Sequence, residues 1–270
     1  MTKQVGIGQF LAWDGGCVFL GRHDRAIPVH AHHAMQLLVA SEGDHRVRAS
    51  DAEPWRTHSM TAIPSRHPHS IDVTDSTYGA VIFVEPETRE GRAIAQRFLS
   101  AGIAEVGTPE LRQITRAIFE ESLAGRRDES IRMLRLVVST LAAGVEPAVV
   151  TDPRILSAIA YINQHIARPI TLDEVASHAC LSPSRFRHIF SEETGMGLRP
   201  FILWRRFLLT WDLLMQGVTL SEAAHAAGFA DAAHLSRTSV RNFGFAPSAM
   251  RITPSLPAPA PRPLEVSAGT

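Results

Sequence analysis

The chain has 270 residues, 45% of them hydrophobic and 20% charged, with a mean hydropathy of zero. That composition fits one large or two ordinary globular domains and excludes global disorder, and no run approaches the roughly 18 apolar residues of a membrane span. Basic and acidic residues balance at 27 each, divided as 16 against 18 over residues 1–151 and 10 against 8 over residues 152–251, so charge alone announces no nucleic-acid binder. Met1–Phe10 lacks the pattern of a secretory signal, and Cys17 and Cys180 are too few for a disulfide scaffold or a cysteine-based zinc finger. A cytoplasmic location, away from membranes, is expected. Of the 27 basic residues 26 are arginine, so any phosphate contact must come from arginine, polar groups or helix ends.

Strand character fills the first 85 residues. Alternating and β-branched runs at Gln36–Ala40, His45–Arg48, Ser59–Ile63 and Tyr78–Val84 are separated by Gly, Pro, Asp and Ser, the pattern of an antiparallel sandwich or small barrel. Among them stands a histidine set: His30, His32 and Gln36, then Gly43, then Pro64 to His69. On a strand His30 and His32 share one face. The arrangement resembles the two motifs of the cupin barrel, in which two histidines, an acidic or amide residue and a later histidine converge on one metal. Arg66 stands where that pattern has glycine. The resemblance implies His30, His32, Gln36 and His69 as effector-binding residues and as ligands of a divalent transition metal such as zinc, iron, nickel or copper, all of which accept imidazole. A metal-free pocket for an organic effector and a purely structural or dimerising barrel stay open beside it. His33 and His67 are expected to point the other way.

After Pro86 the period changes. Leu111, Ile114 and Ile118, then Ile131, Leu134, Val138 and Leu141, mark amphipathic helices over roughly 88–102, 109–124 and 128–143. The stretch Gly144–Asp152 reads as a linker that leaves the two halves adjustable. Asp152-Pro153 then caps and opens a helix to about Ile166. Thr171–Glu174 is a capping box, Ser182-Pro183 opens a helix that ends before Gly195, and a long helix runs over about Leu198–Gln216. Thr219–Glu222 repeats the capping box, and a last helix covers Ala230–Asn242. Thr171–Phe190 and Thr219–Val240 are therefore two copies of a helix-turn-helix. The 19-residue joining helix spans about 28 Å, close to the roughly 34 Å between successive major grooves on one side of a duplex. Five prolines from Pro254 to Pro263 predict a disordered tail over 253–270.

The text from Ile170 to Arg251 resembles the AraC/XylS family of transcription regulators. It is carried by ITLDEVASHACLSPSRFRHIFSEETGMG, by Gly228-Phe229, by HLSR at His234–Arg237 and by FGFAPSAMR at Phe243–Arg251. The resemblance implies a two-domain α+β chain. Residues 1–87 would form a cupin-like β-barrel, 88–150 a helical region serving dimerisation and linkage, and 151–252 an all-α domain with two helix-turn-helix motifs joined by a long helix. It implies double-stranded DNA as partner, a homodimer, RNA polymerase as a further partner, and a small-molecule or metal effector. The residues expected to meet DNA are Ser184, Arg185, Arg187 and His188 in the first unit, Ala233, His234, Ser236, Arg237 and Arg241 in the second, and Arg206 on the joining helix, through phosphate or through a structural ion pair. Arginine can also pair bidentately with guanine.

Two departures stand out. Ser239 and Val240 occupy positions the family makes aromatic and basic, and Leu208, Leu209 and Trp211 replace charged residues. Those apolar side chains either refill the gap at Ser239, which the spacing from Leu235 to Phe243 puts on the core face, or present a surface to a partner. The competing reading is a metal-dependent cupin oxygenase or isomerase fused to a DNA module. Against it, Gln36 stands at the acidic position and no nucleophile-histidine-acid set is evident.

Overall fold

The computed structural model describes residues 5–147 and 152–253. Apart from Thr253, the tail expected to be disordered lies outside the described residues, as does the end of the linker at 148–151. Asp14-Gly15 closes β1 (Gly6–Trp13) onto β2 (Gly16–His23). Gly15 sits at φ +92°, as a two-residue hairpin turn requires and as glycine permits without strain. Then follow β3 (Ile27–His30), β4 (Met35–Ala40), β5 (His45–Arg48), β6 (Arg56–His58), β7 (Met60–Ile63), β8 (His69–Asp72), β9 (Gly79–Val84) and the two-residue β10 (Ala104–Glu105). One sheet runs β10-β7-β4-β9-β2-β1 and gains an edge strand, β11 (Met250–Ile252), from the far end of the chain; the other runs β3-β8-β5-β6. The four runs expected as strands are β4, β5, β7 and β9.

All six residues of β4 and of β9 are buried, because both faces of the larger sheet are covered. Alternation divides them cleanly. Leu37, Val39, Ile82 and Val84 face α1 (Arg89–Phe98), α2 (Pro109–Leu123) and α3 (Arg127–Ala142) through Ile94, Ile118, Leu134 and Val137. Leu38, Val81 and Phe83 face the smaller sheet. Helix α1 stops at Phe98, short of the expected residue 102, where Leu99 caps it.

In the carboxy-terminal half, the Asp152 carboxylate accepts from the Arg154 amide and starts α4 (Pro153–Gln164). Both capping boxes form as read, on α5 (Leu172–His178) and α8 (Leu220–Ala226). Helix α6 (Pro183–Thr194) ends at Gly195 in the left-handed region, and α7 (Leu198–Met215) joins the units. Helix α9 (Ala232–Phe243) begins two residues later than expected, because Asp231 is its cap and accepts from the His234 amide. The first unit closes over Val175, Phe186, Phe190 and Phe201.

The second unit shares its core with the amino-terminal half. Trp211 is fully buried, its ring 4.6 Å from Phe19 and 6.0 Å from Phe10. Phe243 and Phe245 pack in the same cluster as Phe83, and Leu208 and Leu209 flank it. The apolar run on α7 thus meets this chain's own sheet, which corrects the choice between gap filling and an external partner. After a 3-10 turn at Pro247–Ala249, β11 pairs in parallel with β1, Gly6 opposite Met250 and Gly8 opposite Ile252. Residues 250–252 thus add a strand to the amino-terminal sheet from the far end of the chain, and the joint between halves is a packed core as well as a linker. Ser239 does face the core, fully buried, and its hydroxyl donates to the Phe245 carbonyl at 2.7 Å.

Candidate nucleic-acid interface and ligand site

Helix α6 presents Ser184, Arg185, Arg187 and His188 to solvent while Phe186, Ile189 and Phe190 point inward. Ser182 accepts from the Arg185 amide and Pro183 occupies the first turn, so the helix starts in register with its polar face outward. Helix α9 exposes Ala233, His234, Arg237 and Arg241, with Ser236 half-buried. The His234 ring stands edge-on to Phe229 at 5.5 Å. In each unit, then, the second helix carries arginines on its free face.

Arg206 is placed differently from its expected role. Its Nε donates to Ile166 O at 3.2 Å, and its two terminal nitrogens donate to Gly228 O and Arg168 O, each at 2.8 Å. Those carbonyls belong to the α4–α5 connection and to the turn between α8 and α9. Arg206 staples the first unit to the second through neutral acceptors; the expected ion pair is absent among the described residues.

The histidine set does converge. His30 ends β3 opposite His69, which starts β8; His32 follows in the loop, and Gln36 lies on β4. All four are buried, and one ring nitrogen from each histidine falls within 4.8 Å of the others. Every Nδ1 faces a backbone carbonyl at 2.8 Å: Pro28 for His30, Ala34 for His32, His67 for His69. Burial is the main cause that lowers all three imidazoles, His30 to about 4 and His32 to about 3, so they are neutral near pH 7. A neutral ring facing a carbonyl carries its one proton on Nδ1. The Nε2 atoms are then lone pairs, and those of His32 and His69 lie 3.0 and 3.2 Å from Gln36 Oε1, itself an acceptor. Among the described residues the Gln36 amide nitrogen is buried without a partner. Either the carboxamide is turned to donate to both rings, or a cation sits among the three nitrogens and the oxygen. Three imidazoles oriented by carbonyls behind them, with an amide oxygen, suit a divalent transition metal.

Residues 175–252 match the model of a helix-turn-helix domain family. The regulatory protein PocR of Salmonella typhimurium is 26% identical over 101 residues, 37% of this chain and 33% of that protein. The arabinose operon regulatory protein of Escherichia coli is 30% identical over 105 residues, 37% of this chain and 35% of that protein. The chain spans about a third of the length of these curated relatives. Residues 175–252 are a helix-turn-helix domain of the AraC type. The fold of the whole chain is similar to ToxT from Vibrio cholerae, with TM-score 0.53 at 12% identity over 87% of this chain and 96% of that one. A second ToxT structure, bound to (E)-4-(8-methylnaphthalen-1-yl)but-3-enoic acid, gives TM-score 0.54 at 11% identity, covering 87% of this chain and 97% of that one. The two-domain architecture with a β-rich amino-terminal half is thereby shown.

The AraC-type domain is fastened to the amino-terminal half by groups that sequence reading missed. Arg205 on α7 reaches Glu85 through two contacts, at 2.7 and 2.9 Å, and the Trp204 indole donates to the same carboxylate at 3.2 Å. His33, expected to point away from the cluster, does so and meets Glu87 at 3.1 Å. Burial alone would raise the Glu87 carboxyl, but the bond and charge of His33 and the charge of Arg205 outweigh it and hold it below the usual range. Arg66 donates to the Gly195 carbonyl at 2.9 Å, and Arg92 to the Glu193 carbonyl, so both grip the end of α6. Arg66 has φ +59°, the left-handed region, which explains the glycine of the cupin pattern at that position. Phe243 stacks 5.8 Å from His32, and a Cβ on Gly244 would fall 2.7 Å from Ile27 and 3.4 Å from His30 Nδ1. The end of α9 thus lies directly on the histidine cluster.

Proposed function

We propose that this chain is a sequence-specific DNA-binding transcription regulator whose AraC-type domain answers to a ligand held by the amino-terminal half. The observation that carries the reading is the doubled unit: α6 and α9 each expose arginines on a face free of the core, and the two units are joined by α7, which with 18 residues is about 27 Å long. A joining helix of that length suits two units placed in adjacent major grooves of one duplex. Effector response is supported by the aryl-butenoic acid bound to the ToxT structure of similar fold and by the contact between α9 and the histidine cluster. His30, His32, His69 and Gln36 would hold a divalent metal, whose role is to fix the loops on which Phe243 and Gly244 rest. A homodimer formed through the helical region 88–150, and RNA polymerase as a further partner, complete the proposal, as does a cytoplasmic location.

Selection of duplexes from a random pool by the full-length chain tests this. A recurrent site is expected, with affinity falling steeply as salt rises, because arginine displaces condensed counterions. Arg187→Ala or Arg237→Ala should cost about 1–3 kcal/mol and relax preference at one position where the side chain reads a base; a phosphate contact would weaken all sites alike. Elemental analysis should find a metal that His30→Ala with His32→Ala removes. A pool with no enriched sequence sinks the regulator reading.

A further inference from the structure

The two helix-turn-helix units have separate cores. Val175, Phe186, Phe190 and Phe201 close the first, Phe207, Ala224, Phe229 and Leu235 lie in the second, and the two clusters share no residue among those described. Helix α7 passes from one to the other between Ile202 and Trp204. Each unit is then held to α7 from its own end only, and a roll of one against the other is resisted by whatever ties them directly. Arg206 is such a tie: it lies on the second-core side of the crossing, yet donates back to Ile166 O and Arg168 O in the first unit and forward to Gly228 O in the second. The turn at Gly228 is shaped around that guanidinium. Both units repeat one turn, with Leu181 N donating to Ala176 O and Phe229 N to Ala224 O, each at 2.9 Å, and the residues before them, Cys180 and Gly228, are left-handed at φ +55° and +79°. Cys180 shows that the turn accepts a side chain. At Gly228 a Cβ would stand 2.9 Å from Arg206 Cζ and 3.0 Å from its Nε and Nη2, so glycine there makes room for Arg206 as well as easing the backbone. Three donors aimed at three carbonyls from one planar fork belong to arginine and not to lysine.

We infer that Arg206 is a positioning residue that sets the spacing and phase at which α6 and α9 meet a duplex, and hence the separation of the two base sets this chain accepts. The spacing role rests on the regulator reading. One inserted base pair moves the second set by about 3.4 Å along the duplex and turns it by about 35°, so a stapled pair of units discriminates spacings that a loosely joined pair follows.

Binding of the full-length chain to duplexes in which base pairs are added or removed between the two selected boxes is the test. The parent should lose about tenfold or more on a one-pair change, the order that one lost bidentate base contact represents. Arg206→Lys keeps the charge and loses the fork, and should lose most of that preference. Gly228→Ala should flatten the profile likewise and add nothing in the Arg206→Met background. A phosphate contact would instead survive in the lysine variant, and in the methionine variant would reduce the salt slope by about 0.9 with the spacing preference intact. Poor folding lowers binding at every spacing alike. Spin labels on the exposed Cys180 and on Ser221→Cys read the joint without DNA, since Cys17 is buried: one narrow distance distribution is expected for the parent, a broader or displaced one for each variant. Parent-like distances or a parent-like spacing profile in both Arg206 variants overturns the inference and gives the placement to Arg66 and Arg92, which hold the end of α6 to the amino-terminal half. A single enriched box removes the spacing role and leaves the regulator; no enriched box removes both.

Discussion

Replacing Arg205 by methionine keeps most of its apolar stem and removes the cation facing Glu85, a carboxylate only 2% exposed. Burial pushes the Glu85 carboxyl up to about 7, against the opposing charge of Arg205. A raised folded value means that the proton favours the folded chain, so stability is greatest at low pH and falls as pH rises through that value. In the parent, about 1.4 kcal/mol should be lost between pH of about 6 and about 8. Without the guanidinium the carboxyl rises further and stays protonated across that span, while an unfolded glutamate is ionised. The slope then reaches about 1.4 kcal/mol per pH unit, or about 2.7 kcal/mol in all. Arg205→Met should accordingly cost about 3–5 kcal/mol at pH of about 8, the usual cost of stranding a buried charge, and distinctly less at about 6. Glu85→Gln added to it leaves an acceptor for the Trp204 indole and should recover most of the loss, with a coupling of about 2 kcal/mol or more. Denaturant unfolding of the four proteins at both pH values measures the cycle. A loss under about 1 kcal/mol at the higher pH, or one that does not shrink at the lower, refutes a buried latch between the halves.

Ser239→Phe should destabilise the chain by roughly 1–3 kcal/mol or more, since Ser239 is fully buried and the Phe245 carbonyl loses its donor; a raised melting temperature would show unfilled space there. His23 and His45, both buried and both lowered to about 4 chiefly by desolvation, give an acid-side prediction. Their depressed folded values mean that stability is complete above about 6.5 and is lost as pH falls towards about 4, by about 2 kcal/mol for each at pH of about 5. Unfolding midpoints in chelator, equal at pH of about 7 and about 5, would contradict neutral buried imidazoles.

The carboxy-terminal half was legible because its signals are local. Thr171 with Glu174, Ser182 with Pro183, and Thr219 with Glu222 announce their helices within four residues, and Gly195 supplies the left-handed stop. The strands that escaped had weaker texts. Strand β1 is glycine-rich and buried along most of its length, so it shows no alternation, although the Asp14-Gly15 pair was a usable hairpin signal. In β8 the text His69-Ser70-Ile71-Asp72 reads as polar, and its burial is imposed by partners. Spacing and the cupin resemblance brought His30, His32, Gln36 and His69 to one place. Glu85 and Arg205 lie 120 residues apart, and no periodicity connects them. Trp211 was visible as an anomaly, but its partners Phe10 and Phe19 follow only from the packing of the two halves.

The pairing of β1 with β11 sets an order of events for a growing chain. Gly6 meets Met250, and at roughly 5–20 residues per second a ribosome needs on the order of 12 to 50 seconds to make the intervening chain. For that interval the nascent sheet has an open edge next to β1, and Phe10, Phe19 and Phe83 lack the cover that α7 and Phe245 later provide. An open edge beside an uncovered apolar face is the surface on which neighbouring chains pair. Emergence of β11, rather than completion of the first domain, is therefore the moment at which this protein leaves its aggregation-prone stage, and chaperone demand should fall on the amino-terminal sheet throughout synthesis of the helical half.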